Sequence, residues 1–146
     1  MQARISRSSI LLACLAGAVG LTAGVALGRT SYPQLGLLLS GGETVIGQEI
    51  AYPEGVPVVT AAIVTMVPGQ ETGWHVHEAP LMAWMLEGEL SVDYGPDGQR
   101  TYVAGEALLE AFRTPHNGRN GGEGNVRLLA VFMGAEGVPN TVMEPE

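Results

Sequence analysis

The most informative segment of the sequence is PGQETGWHVHEAPLMAWMLEGEL, residues 68–90. It contains two of the three histidines of the chain, His75 and His77. Side chains alternate along a β-strand, so the two imidazoles are predicted to share one face, with Trp74 and Val76 on the other. Their attachment points would lie about 6–7 Å apart, a spacing from which two rings converge on one metal ion. Two surface histidines on an exposed strand would show the same pattern.

Short strand-like runs continue from Glu43 to the C-terminal region. Glycine and proline separate runs that are rich in valine, isoleucine, threonine and aromatic residues. The runs are TVIGQEIAY, VPVVTAAIVTMV, LMAWML, ELSVDYG, RTYVAG, EALLEAF and NVRLLAVFMG. DYGPDGQRTY predicts a tight hairpin, whereas the tail EGVPNTVMEPE is predicted to be irregular. The pattern indicates an all-β domain, an antiparallel sandwich or barrel.

The third histidine, His116, lies in GEALLEAFRTPHNGRN. It follows a proline-bearing turn and is predicted at the end of another strand. All three histidines therefore fall in strand or strand-end settings, which favours a shared site over three unrelated surface positions.

The two histidine segments resemble the motifs of the cupin superfamily. The first family motif is a glycine, five residues, His-X-His, three or four residues, a glutamate, six residues and a glycine. The chain matches it with Gly69, His75, His77 and Gly88, but Leu81 stands at the glutamate position.

The second family motif is a glycine, five residues, Pro-X-Gly, two residues, a histidine, three residues and an asparagine. It maps onto Gly105, His116 and Asn120, with Ala111 and Arg113 in place of the proline and glycine. Asn120 is expected to support the turn, and Arg113 is expected to face water rather than to reach over the metal.

The resemblance implies an antiparallel double-stranded β-helix, the jelly-roll or cupin barrel. It also implies one divalent transition metal ion, held by His75, His77 and His116. Three neutral imidazoles do not choose among iron, manganese, nickel, copper and zinc. They leave open coordination positions, which suit a substrate or dioxygen, as in the three-histidine branch of the family that resembles iron-dependent dioxygenases.

Two glutamates are candidates to replace the missing carboxylate ligand. Glu78 follows His77 directly, although on a continuing strand it would face away. Glu110 lies inside the apolar run ALLEAF, where a carboxylate is rarely left unpaired. Glu110 is the predicted catalytic residue, a general acid or base; a fourth ligand, a partner of a histidine ring and an outward-facing rim residue are the alternatives.

The N-terminal residues differ from the rest of the chain. Acidic residues are absent before Glu43, and two arginines precede an uncharged apolar stretch at 10–28. Residues 1–28 are predicted to be a signal peptide or an N-terminal membrane anchor, 29–42 a linker and 43–146 the cupin domain. The domain is then exported, periplasmic or otherwise extracytoplasmic, with 10–28 as a membrane tether if the leader is not cleaved.

Charge narrows the choice of partners. Fifteen acidic residues and seven arginines give a formal net charge of -8, which argues against nucleic acid as a partner. The leading interpretation is an exported metal-dependent enzyme with oxygenase-like, isomerase or lyase chemistry on a small organic substrate. The alternative is a non-catalytic module that binds or senses a small ligand through the metal, and a structural or absent metal is a third interpretation. A homodimer is a further expectation, with Trp74 and Trp84 on outward faces.

Overall fold

The computed structural model describes residues 34–145. Contacts divide the chain into Met1–Gly36 and Leu37–Glu146, and the fold below is that of the second unit. The leader predicted at 1–28 lies outside the described residues, so the domain boundaries stay predictions. Residues 34–145 contain no helical segment that could span a membrane.

Nine strands and one short 3-10 helix make up the described fold. The strands are β1 Pro57–Met66, β2 His75–Val76, β3 Leu81–Glu87, β4 Glu89–Asp93, β5 Gln99–Val103, β6 Ala107–Leu109, β7 Asn117–Arg119, β8 Val126–Ala135 and β9 Val142–Met143. They form a four-stranded sheet in the order β1-β8-β3-β6, a three-stranded sheet β5-β4-β7 and a two-stranded pair β2-β9. Every ladder between these strands is antiparallel, and the all-β prediction is confirmed.

Both larger sheets contribute to one apolar core. On β3, Leu81, Ala83 and Met85 are buried, while the side chains between them are half-buried. On β4, Leu90 and Val92 are buried and join the same cluster. The period of two seen in the sequence therefore marks the inward faces, and full burial of each large aliphatic side chain contributes about 1.5–3 kcal/mol.

The predicted hairpin connects β4 to β5. A 3-10 turn, Gly95–Asp97, begins with Gly95 and Pro96, and Tyr94 N–H donates to Gly98 C=O at 2.9 Å. The carboxylate of Asp93 accepts a hydrogen bond from Gly95 N–H at 2.8 Å. The hairpin prediction is confirmed, and it places Tyr94 in the core directly after β4.

Two parts of the chain differ from the prediction. TVIGQEIAY, residues 44–52, forms no strand: Glu49 makes an isolated bridge with the preceding Glu43, Thr44 hydrogen bonds to Gln48, and Gly47 adopts a left-handed φ of 81°. The tail is not wholly irregular, since β9 pairs with β2. A strand of two residues is too short to show alternation in the sequence.

Candidate metal centre

A backbone bridge brings the two histidine motifs together. His75 lies on β2 and His116 directly precedes β7, so it begins a strand rather than ending one. Each of these residues donates its N–H to the other's C=O at 3.0 Å. His77 follows β2, and the centroids of the three rings lie 4.4 to 5.0 Å apart.

Backbone carbonyl groups fix the orientation of all three imidazoles. The Nδ1 atoms lie within hydrogen-bonding distance of the carbonyl oxygens of Gly73 for His75 (2.8 Å), Asn140 for His77 (3.0 Å) and Thr114 for His116 (2.8 Å). A carbonyl oxygen can only accept, so each Nδ1 carries the proton and each Nε2 keeps its lone pair. This is the usual second contact of metal-ligating histidines.

The free ring nitrogens fit a metal ion. Each histidine offers one ligand atom, and these atoms lie within 4.8 Å of one another. Nε2 of His116 is fully buried and has no hydrogen-bond partner within the described residues. An unsatisfied buried polar atom costs about 1–3 kcal/mol, and coordination of a metal would offset that cost. The three residues could therefore hold one divalent transition metal ion.

Burial keeps the cluster in the form that binds metal. Desolvation lowers the pKa of His75 and of His116 below the usual value, and it lowers the pKa of His77 to about 3. The neighbouring imidazoles oppose the charging of His77 further. All three rings are consequently neutral at physiological pH, as coordination requires.

A cavity of about 360 Å³ opens beside the imidazoles. Its wall is mainly aliphatic: Val64, Met66, Leu81, Ala83, Met85, Leu90, Val92, Leu108, Leu128, Ala130 and Met143. The exposed lining residues include Gln70, Glu71 and Thr141, which mark the mouth. Leu81 thus lies on the cavity side of β3, as alternation predicted, and no arginine is among the described residues that line this space.

Glu110 lines the same cavity from the end of β6. Its side chain is 7% exposed, which rules out the outward-facing alternative. Oε1 accepts hydrogen bonds from Tyr94 Oη at 2.7 Å and from Ala111 N–H at 2.8 Å. Desolvation raises the pKa of Glu110 above its ordinary value, although these donors oppose the shift. Glu110 is not part of the group of ligand atoms formed by the histidines, so the fourth-ligand alternative gains no support.

Glu78 and Arg113 pair with each other on the outside of the site. Arg113 Nε lies 2.9 Å from Glu78 Oε2, and both side chains are substantially exposed. The guanidinium also lies 4.8 Å from the centroid of the Phe112 ring. Arg113 takes the position of the family's glycine and adopts a left-handed φ of 51°, which explains why glycine suits this turn. Arg113 N–H donates to His77 C=O at 3.0 Å.

Asn120 supports the turn after β7, as expected. Its amide donates to the carbonyl oxygens of Met66 at 2.9 Å and Gly124 at 2.8 Å. Its Oδ1 accepts from Gly122 N–H at 3.0 Å. Asn120 lies in the core and does not line the cavity.

Sequence reasoning missed three contributors to the site. Gln48 binds the segment before His116, through its contacts with Phe112 and Thr114. Tyr94 contacts Glu110, and its ring centroid lies 5.8 Å from that of His116. Asn140 orients His77 from the tail. Only Tyr94 left a signal, since it continues the inward alternation of Leu90 and Val92.

The cupin domain family matches residues 62–132, a span that contains all three histidines. The DMSP lyase DddQ from Ruegeria pomeroyi superposes with a TM-score of 0.53 at 22% identity, over 60% of this chain and 45% of that one. A structure described as that of the DMSP lyases RdDddP and RnDddQII superposes with a TM-score of 0.52 at 16% identity, over 60% of this chain and 44% of that one. Oxalate decarboxylase from Lactobacillus farciminis superposes with a TM-score of 0.49 at 22% sequence identity, over 58% of this chain and 26% of that one.

At these identities the likeness concerns the fold alone. The chain spans 45%, 44% and 26% of the length of these three proteins. No curated protein matches it.

Proposed function

This chain belongs to the cupin superfamily, and we propose that it is an exported metal-dependent enzyme acting on a small, largely apolar organic molecule. The observation that carries the proposal is the convergence of three lone-pair Nε2 atoms, from His75, His77 and His116, beside a cavity that also contains a buried carboxyl group. Export is supported by the apolar stretch at 10–28, which follows arginines and precedes the first acidic residue.

Metal binding, substrate binding and proton transfer are assigned to different residues. A bound divalent ion would supply Lewis acidity at its open positions, and iron, manganese or copper would add redox chemistry. The three imidazoles would hold that ion from one side of the cavity. The aliphatic wall binds the apolar part of the substrate and excludes water. Glu110 moves a proton at Oε2, the carboxyl oxygen that has no hydrogen-bond partner in the described part of the chain.

Charge around the cavity selects the substrate class. Arginine does not line it, so the imidazole-held cation would be the centre for an anionic substrate atom. A second carboxylate or a phosphate on the substrate would lie against Glu110 or the aliphatic wall. Its charge would be buried without a partner, which costs several kcal/mol of binding free energy. We therefore propose a substrate with one polar group for the metal and an apolar body. Oxygenase chemistry would consume dioxygen, whereas isomerase or lyase chemistry would not.

The first experiment measures metal in the full-length chain and in two variants purified in parallel. We expect about one divalent ion per parent chain and a loss of it in His77→Ala, because a site of three ligands would keep only two. Glu78→Gln is the matched control, since it changes the residue next to His77, which pairs with Arg113 outside the cavity, and should keep the metal. Metal-free parent protein after supplementation with each of the five ions would overturn the proposal.

The second experiment tests turnover in the metal-loaded chain. Neutral and monoanionic organic compounds are screened for binding, product formation and dioxygen uptake, with Glu110→Gln as the comparison. We expect that variant to keep its metal and to lose turnover by about 10²–10⁴-fold, as for loss of a general acid or base.

A non-catalytic binding or sensing module is the second candidate function. It is favoured by the composition of the cavity, in which Glu110 is the single buried carboxyl group among mainly aliphatic side chains. Tight binding of a compound that is recovered unchanged after long incubation, with equal affinity in Glu110→Gln, would favour this function over catalysis.

The proposed export is tested separately. We expect the mature protein from a cell fraction outside the cytoplasm to begin at or after Arg29, or to remain in the membrane fraction if the leader is kept as an anchor. Intact mass and N-terminal peptide analysis distinguish the two forms, and full-length protein in the cytoplasm alone would contradict export.

A further inference from the structure

Three oxygen atoms form a continuous hydrogen-bonded chain behind the cavity wall. Glu110 Oε1 lies 2.7 Å from Tyr94 Oη, which lies 3.0 Å from Tyr102 Oη. Tyr94 is 0% exposed, whereas Tyr102 is half-buried. The chain therefore runs from the buried Glu110 and Tyr94 to a tyrosine that is partly exposed.

The direction of these hydrogen bonds follows from the number of protons. A phenol hydroxyl has one proton to donate, and Tyr94 donates it to Glu110. Tyr94 must then accept in its second contact, so Tyr102 is the donor there. Oε1 already accepts from Tyr94 and from Ala111 N–H, and a carboxyl proton consequently belongs on Oε2.

Oε2 of Glu110 faces the cavity. It makes no hydrogen bond within residues 34–145, yet it is not among the fully buried unpaired atoms, which are Trp84 Nε1 and His116 Nε2. Because Glu110 lines the cavity, a substrate or solvent molecule would reach Oε2 from that space.

The other end of the chain opens on a different surface. Tyr102 does not line the cavity but lines a separate depression, together with Leu38, Thr44, Arg100 and Glu106. Glu110 is absent from that depression. The hydrogen-bonded chain thus links a residue that lines the cavity to a residue that lines the outer depression.

We propose that Tyr94 and Tyr102 form a proton relay that exchanges protons between Glu110 in the cavity and solvent at the outer depression. The relay rests on the role proposed above for Glu110, because it supplies or removes the proton of that carboxyl group while a substrate fills the mouth. Both tyrosines act through Glu110, so they are positioning residues rather than catalytic ones.

The proton movements balance. Glu110 loses the proton on Oε2 to a substrate atom, the Tyr94 hydroxyl proton moves to Oε1, and the Tyr102 proton moves to Tyr94 Oη. Water at the outer depression protonates Tyr102 and leaves hydroxide in solvent. Rotation of the hydroxyl and carboxyl groups resets the chain, and the reverse sequence carries a proton outward.

The surrounding charges are compatible with such a relay. Arg100 and Glu106, which carry opposite charges, line the outer depression together with Tyr102. Desolvation raises the pKa of both tyrosines, so both hydroxyl groups keep their protons and can donate and accept at once.

The test follows exchange of the Tyr94 hydroxyl proton in full-length chains labelled with ¹³C at tyrosine Cζ, in mixtures of H₂O and D₂O. Glu110→Gln is the background, because its side-chain oxygen can still accept from Tyr94 and Ala111 while the titratable route through the cavity is removed. We expect addition of Tyr102→Phe to slow exchange by about tenfold or more, since exchange then requires local opening. Tyr94→Phe assigns the signal.

Tyr52→Phe in the same background is the matched control, because Tyr52 is exposed and lies outside the depression. Its exchange rate should equal that of Glu110→Gln alone. An unchanged or faster rate in the chain that carries Tyr102→Phe would overturn the relay. The measurement needs no substrate and no metal, so a failed relay is distinguishable from a failed enzymatic function.

Discussion

His75 and His116 are joined by two reciprocal backbone hydrogen bonds, each 3.0 Å long, and their ring centroids lie 4.4 Å apart. The bridge fixes the main chains of both residues independently of a bound ion. Hydrogen bonds from Nδ1 to backbone carbonyl groups then fix both rings. The site is therefore preorganised, and its affinity for metal should depend on the backbone contacts as well as on the ligands.

The first prediction concerns the tail, which carries the carbonyl group that orients His77. A chain that ends after Pro139 lacks this carbonyl group, which belongs to Asn140, and also lacks β9. We expect its affinity for zinc to fall by about 10–100-fold, the usual cost of losing the outer partner of a ligating histidine. Competition with a chromophoric chelator measures the change.

A chain that ends after Glu144 is the control for that truncation. It keeps Asn140 and β9, including the hydrogen bond from Glu144 N–H to Trp74 C=O. It should bind zinc as the parent does. Equal affinities in the two truncated chains would show that the tail does not contribute to the site.

The second prediction concerns stability and pH. Because burial raises the pKa of Glu110, the folded chain keeps its proton above pH 4.5, where the unfolded carboxyl group releases it. The free energy of unfolding of the metal-free parent should therefore fall, relative to Glu110→Gln, as pH rises from about 4.5 towards the folded pKa. The maximum slope is about 1.4 kcal/mol per pH unit.

Urea unfolding of both metal-free chains between pH 4 and 8 measures this difference, and common contributions from other groups cancel. The difference between the two curves should level off as pH falls below about 4.5, where the unfolded carboxyl group also becomes protonated. A constant difference across the range would show that the folded carboxyl group titrates normally.

The third prediction concerns two reasons for glycine at the motif positions, a left-handed φ and a lack of space for a Cβ atom. Gly69 and Gly88 have nearly equal left-handed φ values, 78° and 77°. A Cβ at Gly88 would lie 2.6 Å from the carbonyl oxygen of Asn125, whereas one at Gly69 would meet nothing within 4 Å. Each alanine variant should lose about 1–2 kcal/mol through backbone strain.

Gly88→Ala should lose about 1–3 kcal/mol more, because the clash is with backbone and needs a shift of the chain. Denaturant unfolding of both variants provides the comparison. Equal losses of unfolding free energy in the two variants would mean that the backbone near Asn125 can shift without a measurable cost.

The fourth prediction concerns Arg113, the arginine at the family's glycine position. Arg113→Ala and Arg113→Gly both remove the ion pair with Glu78, so the difference between them isolates the backbone. The alanine variant should be less stable by about 1–2 kcal/mol, since φ is left-handed here. Both should bind metal as the parent does, because the guanidinium pairs with Glu78 and Arg113 does not line the cavity.

Local patterns account for what could be predicted from the sequence. Alternation on β3 identified Leu81 as a cavity residue, and glycine and proline identified the turns. The contact between Glu110 and Tyr94 could not be predicted, because residues on separate strands meet only in the folded sheet. Each histidine ring has a backbone carbonyl group as a partner, and every residue has one, so the residue types gave little signal; the Thr141 hydroxyl group, 3.2 Å from His77 Nδ1, is the additional side-chain partner.

The pairing of β9 with β2 has a consequence for the time at which the site becomes complete. His77 and Asn140 are separated by 63 residues, which a ribosome adds in roughly 3–13 seconds. Until that segment has been synthesised, emerged and docked, the His77 ring lacks the acceptor that selects its tautomer. Completion of the site thus follows synthesis of the His77 segment by at least this interval, and acquisition of the ion should follow assembly of the sheets rather than guide it.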